Sequence, residues 1–300
     1  MTTATTPYHP GERTAQARAG VTDRADHAGR SIRSTIPAVA AHFLTERRML
    51  VVGAADPDGR VWATQLSGPA GFLRAPDERT MTIAARPAEA DPLAEALARP
   101  AQLGTIALDP AGRRRMRLNG RSAPDGRGGL VVRAEEVVSN CPKYIQRRTP
   151  LDRPGAGAPR AVAEGTVLST AQQLAVATSD TFFIATTGPD GRVDASHRGG
   201  FPGFLEAVGP NTVRWPEYRG NSMFLTLGNL ELDPRAGLLL PDWETGGALL
   251  ITGEARTDWS EQAGPGVERM VELTVTGVRE LTDATPLAWT EPEYSPAIPR

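Results

Sequence analysis

The chain repeats itself, and no other feature constrains its fold as strongly. Displaced by 132 residues, Pro57–Leu73 (PDGRVWATQLSGPAGFL) lies over Pro189–Leu205 (PDGRVDASHRGGFPGFL), identical at 10 of 17 positions with no gap. One inserted residue moves the offset to 133, where Gly104 falls on Gly237, Asp109 on Asp242, Met116 on Leu249, Leu118 on Ile251 and Gly120 on Gly253. A period this long is too large for a solenoid unit and reads as two copies of one small domain. The disagreements between the copies then become candidates for function. The first has Trp62, Gln65, Leu66 and Ser67 where the second has Asp194, His197, Arg198 and Gly199. One half keeps a polar, cationic loop that the other has lost.

Composition narrows the class. Three hundred residues suit two domains, and a hydrophobic fraction of 40% supplies real cores. No window approaches the ~18 apolar residues of a membrane span, and the N-terminus lacks the apolar core of a signal peptide. The single cysteine, Cys141, excludes an internal disulfide and fits a reducing cytoplasm; a structural thiol is the reading for it, since no base stands near in sequence. No metal-ligand spacing appears, and His9, His27, His42 and His197 are scattered. The net charge of −2 comes without a basic block, so nucleic acid is not an expected partner. The densest basic run is Arg113–Arg117. Its alternation with Met116 and Leu118 suits a strand with arginines on one face, read as a solvated or interface face rather than an anion site. Arginine outnumbers lysine 32 to 1, and the one lysine, Lys143, marks a position that prefers a compact ammonium.

The pattern divides the chain into an N-terminal, extended or partly helical arm (1–35), a first barrel (36–147), a Pro- and Gly-rich linker (148–165), a second barrel (166–282) and a tail (283–300). The first copy reads as a helix over 36–45 opened by Pro37 and strands over 49–54, 61–66, 80–84, 102–108, 113–119 and 130–138. A helical stretch over 88–98 is capped at Asp91. The second reads as a helix over 170–179, strands over 182–186, 193–197, 212–215, 237–240, 247–254 and 270–278, and a helix over 222–232. Short strands, tight turns and one helix per copy predict a mainly β fold of two small closed antiparallel barrels. Such copies pack as a pseudo-twofold pair, a covalent version of a symmetric dimer.

Three patches carry the chemistry. In the loop Asp194–Phe204, Gly199, Gly200 and Gly203 permit close backbone approach, beside Ser196, His197 and Arg198. In Trp215–Ser222, Asn221 or Ser222 is expected to cap a helix whose free N–H groups attract an anion, with Arg219 completing a phosphate cradle. In Asn140–Gln146, the residues Lys143, Tyr144 and Gln146 can reach a ligand bound in the other half. Trp243 is a candidate for stacking on a planar ring, against the alternative of a tryptophan at a barrel rim. No Walker loop, GxGxxG unit, HExxH or Gly-x-Ser-x-Gly elbow is present.

These residues resemble the pyridoxamine 5′-phosphate oxidase-like proteins with flavin-binding split barrels, and among them a two-copy bacterial subgroup. The likeness is carried by Gly11-Glu12-Arg13…Gln16…Ala19-Gly20-Val21, Pro57–Leu73, Arg113–Arg121, NCPKYIQ at 140–146, SHRGG at 196–200, and Tyr218-Arg219-Gly220-Asn221 continuing through Thr226–Leu230. It implies two tandem FMN-binding-type split β-barrels forming a pseudo-dimer, with FMN as the usual cofactor at the seam between them. Carried over by residue, Ser196, His197 and Arg198 face the flavin, and Arg219, Asn221 and Ser222 hold its phosphate. The barrel strand running to Gly253 lies along the ring, and the partner barrel supplies Lys143, Tyr144 or Gln146; apart from the resemblance, Trp215 and Trp243 are further cofactor-binding candidates. The Arg/Lys-rich FMN strand and C-terminal substrate motif of pyridoxamine phosphate oxidases proper are missing, so vitamin B6 oxidation is not the expected reaction. Relatives also bind deazaflavin F420 or haem.

The sequence therefore predicts an FMN-dependent oxidoreductase acting on a small molecule, with His197 and Arg198 as catalytic residues near the flavin N1–C2=O edge. Dioxygen or a separate reductase is the expected electron partner. The protein is expected to be a monomeric pseudo-dimer or a homodimer with no membrane partner. The alternative is a non-catalytic carrier or sensor of haem, F420 or flavin, with His197 as a lone axial ligand in the haem case.

Overall fold

The computed structural model describes residues 6–140, 142–260 and 264–299; Cys141 lies outside them. Three helices, α1 (Pro10–Arg18), α2 (Thr22–Gly29) and α3 (Ala38–Thr45), precede seven strands. These are β1 (Met49–Ala55), β2 (Val61–Ser67), β3 (Leu73–Asp77), β4 (Thr80–Ile83), β5 (Ala101–Asp109), β6 (Arg114–Pro124) and β7 (Leu130–Asn140). After β8 (Pro150–Asp152) and β9 (Arg160–Gly165), α4 (Thr170–Thr178) leads into β10 (Thr181–Thr187), β11 (Val193–Gly199), β12 (Glu206–Ala207) and β13 (Thr212–Tyr218). Helix α5 (Leu225–Leu230), β14 (Arg235–Pro241), β15 (Ala248–Asp258), β16 (Val267–Thr282) and β17 (Leu287–Trp289) follow. No described helix is long and apolar enough to cross a membrane.

The two sheets have one topology. Their orders are β2-β1-β5-β6-β7-β4-β3 and β11-β10-β14-β15-β16-β13-β12, antiparallel throughout. The registers repeat as well. Val51 pairs with Gln65 as Phe183 pairs with His197, and Ile106 with Arg117 as Leu239 with Leu250. Both long hairpins bulge at the same place, Asn119/Gly120 and Thr252/Gly253. In the second sheet one face rolls into a closed core. Phe182 on β10 meets Trp215 on β13 edge-on at 5.2 Å, although three strands lie between them in the sheet. Ile184, Val213, Leu238, Ile251 and Leu273 fill the same interior. Each half is thus a small antiparallel barrel of the split-barrel kind.

The alternate residues of these strands face outward into the partner barrel. Phe183, Ala185, Val193, Ala195, Leu239 and Leu250 belong to the same buried cluster as Leu50, Val52 and Leu103 of the first half. The seam is a core, and it is tight. A Cβ on Gly104 would lie 2.7 Å from the Val193 carbonyl, and one on Gly237 would lie 2.5 Å from Trp62 Cα. Val193 and Asp194 are the repeat equivalents of Val61 and Trp62, so these are the two halves of one pseudo-twofold contact.

Several expectations change. Of the arm expected to be extended or partly helical, residues 10–29 form α1 and α2 and are docked: α1 crosses α5 where Gly11 and Gly228 let the backbones meet, and buried Gln16 bonds the Met223 carbonyl at 2.9 Å. The 148–165 stretch contributes β8, which pairs with β17, and β9, which extends the second sheet at β16. Residues 283–299 return to the first half, where Glu293 pairs with Arg147 and bonds Arg113. The expected helix over 88–98 is turns plus a 3-10 turn at Ala96–Ala98; Asp91 instead accepts the Leu93 N–H and bonds the Thr64 hydroxyl. The expected helix over 222–232 shrinks to α5.

Candidate functional site

Strand β11 ends its sheet, with β10 on one side and the seam on the other. Its last turn therefore opens onto the first barrel, and a cleft forms there. From the first half come Arg115 and Arg117 on β6 and Lys143 and Tyr144 after β7. From the second come His197–Gly199, Pro216–Tyr218 on β13 and the loop Arg219–Ser222 before α5. Val21 and Arg24 of the N-terminal segment close one side, and Arg269 another.

His197 is the centre of this arrangement. It is 4% exposed and packs edge-on against Phe183. Arg115 Nη1 lies 2.9 Å from its Nδ1. A guanidinium only donates, so Nδ1 is the acceptor and the ring proton sits on Nε2. Burial, and the charges of Arg115, Arg198 and Arg117, push the His197 pKa well below the ordinary imidazole value. The ring stays neutral, and its Nε2–H is a buried donor without a hydrogen-bond partner among the described residues.

The surroundings are strongly positive. Seven cationic side chains line the cleft against two carboxylates, Glu217 and Glu268. Arg198 Nε donates to Glu217 Oε1 at 2.6 Å, and Trp215 Nε1 donates to the same oxygen at 3.2 Å, so the guanidinium is aimed by a buried carboxylate. Arg117 pairs with Asp194 at 3.1 Å inside the seam. Arg24, Lys143 and Arg219 stand exposed at the rim, without an ion pair among the described residues. Tyr144, held at a positive φ of 67°, tilts against Tyr218 at 5.3 Å and donates its hydroxyl to the Arg219 carbonyl at 2.9 Å. Burial raises the Tyr218 pKa. The site offers a neutral N–H donor inside, two tyrosine rings on a wall, and unpaired cations outside. That set suits a ligand with an acceptor-bearing ring and an anionic tail.

Of the residues singled out from sequence, the cleft unites Lys143, Tyr144, His197, Arg198, Arg219, Asn221 and Ser222. Four lie elsewhere. Ser196 is fully buried, bonded to Asp194 and to Thr226, because alternation along β11 turns it away from His197. Trp215 fills the barrel core and reaches the cleft only through Glu217. Gln146 is buried and ties the Gly200 carbonyl to the Ser295 N–H. Trp243 stacks edge-on with Trp289 at 5.4 Å under Arg148, in a separate groove. The helix-start cradle also changes. Ser222 and Phe224 adopt left-handed φ values of 64° and 60°, and Asn221 Oδ1 caps the Met223 N–H, so α5 starts at Leu225 without a side-chain cap. Anion attraction falls to the rim cations. Sequence reasoning passed over Arg24, Arg269, Arg115 and Arg117. The alternation of the Arg113–Arg117 run predicted the strand, but not that its buried side faces a cleft.

The pseudo-twofold places a second cleft around Gln65, Leu66, Ser67, Arg86, Leu281 and Ala284. By register and repeat, Gln65 stands for His197, Leu66 for Arg198, Ala248 for Arg115, Leu250 for Arg117 and Ala284 for Lys143. Arg86 is the one cation lining this second cleft among the described residues. The cationic chemistry belongs to one side of the molecule.

The sequence matches no protein-family model and no curated protein. Among solved structures, the HupZ protein of Group A Streptococcus shares 12% identity over 36% of this chain and 90% of its own, with a TM-score of 0.30. A candidate pyridoxamine 5′-phosphate oxidase of Lactobacillus delbrueckii shares 13% over 39% of this chain and 97% of its own, at 0.33. An FMN-binding protein of Syntrophomonas wolfei shares 14% over 37% and 82%, at 0.29.

Proposed function

We propose that this chain is an FMN-dependent oxidoreductase of a small molecule, with one flavin bound at the cationic cleft of the seam. The observation that carries the reading is the buried, unpartnered Nε2–H of a neutral His197, set among cations at a barrel–barrel seam. Bound FMN supplies two-electron transfer that no side chain can perform. The protein supplies the rest. His197 donates a hydrogen bond to an acceptor on the ring. Arg198, aimed by Glu217, and Arg115 would set positive charge beside a flavin held in the cleft. Lys143, Arg219 and Arg24 hold the phosphate as an exposed, salt-sensitive set. Tyr144 and Tyr218 form the wall and shield the ring from water.

The same hydrogen bond argues against haem. An axial imidazole needs a bare Nε2, yet the Arg115 donor on Nδ1 holds the proton there. The visible spectrum of the protein desalted after incubation with FMN, F420 or haemin decides among them. Twin flavin bands at about one FMN per chain, lost in a His197→Ala/Arg198→Ala double variant, are expected. A retained Soret band, or flavin binding untouched by the double variant, would overturn the assignment. Reduction of the bound flavin by NAD(P)H or a reductase, followed by reoxidation, separates an enzyme from a carrier.

A further inference from the structure

A separate groove, of about 620 Å³, runs between α4, the turn joining β14 to β15 and the tail segment 289–294. It shares no lining residue with the cationic cleft and falls in the size range of small-molecule sites. Trp243, Trp289 and Tyr294 give its wall an aromatic surface. The two indoles stand at 81° to each other with centroids 5.4 Å apart, so they form a corner rather than a slot.

At the floor, Arg148 and Asp180 form a buried ion pair in which Nη2 donates to Oδ2 at 2.6 Å. Arg148 is 7% exposed and Asp180 5%. The pair is balanced in charge but not in hydrogen bonds. Arg148 Nε is a buried donor and Asp180 Oδ1 a buried acceptor, each without a partner among the described residues. Thr282 Oγ1, on the same lining, is a third such atom. Buried polar groups are normally paired, so these atoms mark where a ligand's polar groups belong. What stays unmet is one donor, one acceptor and one hydroxyl able to act as either, with no net charge among them.

That pattern selects the ligand. Asp242, Glu244, Glu280 and Glu291 also line the groove and disfavour an anion. A cation would lie against the Arg148 guanidinium, which already covers the Trp243 ring at 5.2 Å. Water meets hydrogen bonds but leaves the aromatic wall wet. A flat heterocycle is best held between parallel rings, which a corner does not offer. Neighbouring hydroxyls of a sugar ring supply a donor for Asp180 Oδ1 and an acceptor for Arg148 Nε. The C–H face of the same ring lies well on the electron-rich face of an aromatic side chain. We propose that this groove binds a neutral pyranose, with Arg148, Asp180 and Thr282 reading its hydroxyls and the Trp243–Trp289 corner packing its C–H face. The proposal does not depend on what the cationic cleft holds.

The test is saturation-transfer NMR of the whole protein with the methyl pyranosides of glucose, galactose, mannose and N-acetylglucosamine, and with methyl glucuronide as an anionic counterpart. At least one neutral glycoside is expected to receive saturation at its ring C–H protons, and the glucuronide none. Titration of that signal should show affinity weakened about tenfold or more in Trp243→Ala. Thr282→Val removes a hydroxyl while keeping the side chain's shape, and it should weaken binding severalfold with the melting transition unmoved. It keeps the test decisive should Trp243→Ala fold poorly. Silence from all the neutral glycosides would mean a groove of water only and would end the proposal. Affinity unchanged in both variants would place the binding elsewhere, and a glucuronide bound as well as glucose would contradict the charge argument; either result overturns it.

Discussion

At the scale of the residue, the fold uses His197 to keep an imidazole neutral where a surface imidazole would titrate. Its partner Arg115 fixes the tautomer. In long-range ¹H–¹⁵N spectra, His197 is expected as the Nε2–H form with no protonation step near pH 6.5, the usual midpoint being about there. In Arg115→Ala the two neutral tautomers should mix; a wild-type ring already in the Nδ1–H form would contradict the arrangement. Sequence singled out His197 and Arg198 because the copies differ there, and the structure brings both to one cleft. It mistook Ser196 for a companion, because position in a strand, not adjacency, decides which way a side chain points. It also missed Arg115, whose value depends on a histidine 82 residues away.

At the scale of the element, α1 shows how a short helix is tied to a folded body. His9 caps it, and the Glu12 side chain returns to the His9 N–H. Burial pushes the Glu12 pKa up to about 8, with Glu136 and Asp194 adding to the rise. An unfolded glutamate loses its proton near pH 4.3. Between those values the folded state binds more protons, so this group's contribution to stability falls as pH rises, by at most about 1.4 kcal/mol per pH unit, and levels off above its folded value. The lowered His197 pKa works oppositely: the unfolded state binds more protons below about pH 6.5, so acidification destabilises there. Melting temperature is thus expected to drop from pH 6.5 to 8, with a shallower slope in Glu12→Gln; Glu136, raised to about 7, keeps the remainder. An unchanged slope would show that Glu12 is not protonated in the fold. The long strands of both sheets and α3 and α4 were legible because alternation and turn residues are local signals, whereas the short β3, β8, β9, β12 and β17 were not. The docking of 10–29 was not, since α1 has polar faces and earns its place through Gly11 meeting Gly228.

At the scale of the whole molecule, the two barrels share one buried seam and should unfold together in a single denaturant transition. Gly104→Ala and Gly237→Ala each push a Cβ into backbone atoms of the other half, and a loss of about 1–3 kcal/mol is expected for each. Their functional effects should differ. Gly104 lies against Val193 and Asp194, the start of the strand that carries His197, so its variant should also weaken flavin binding. Gly237 lies against Val61 and Trp62, on the side of the second cleft, and on the proposed function its variant should bind flavin as the wild type does. Equal loss of binding in both would show that the two sides of the seam are not independent.

The repeat and the pattern around it determined that there are two copies, that each is an antiparallel barrel of short strands, and that the copies part in chemistry at positions 194–199 and their counterparts. Those conclusions rest on identity, alternation and turn chemistry, which are written residue by residue along the chain. Only the tertiary structure decided that Arg115 aims at His197, that Glu217 holds Arg198, and that Ser196 and Trp243 stand apart. Each of these depends on side chains meeting across a seam, and the distance between them is set by packing of two barrels rather than by spacing in sequence.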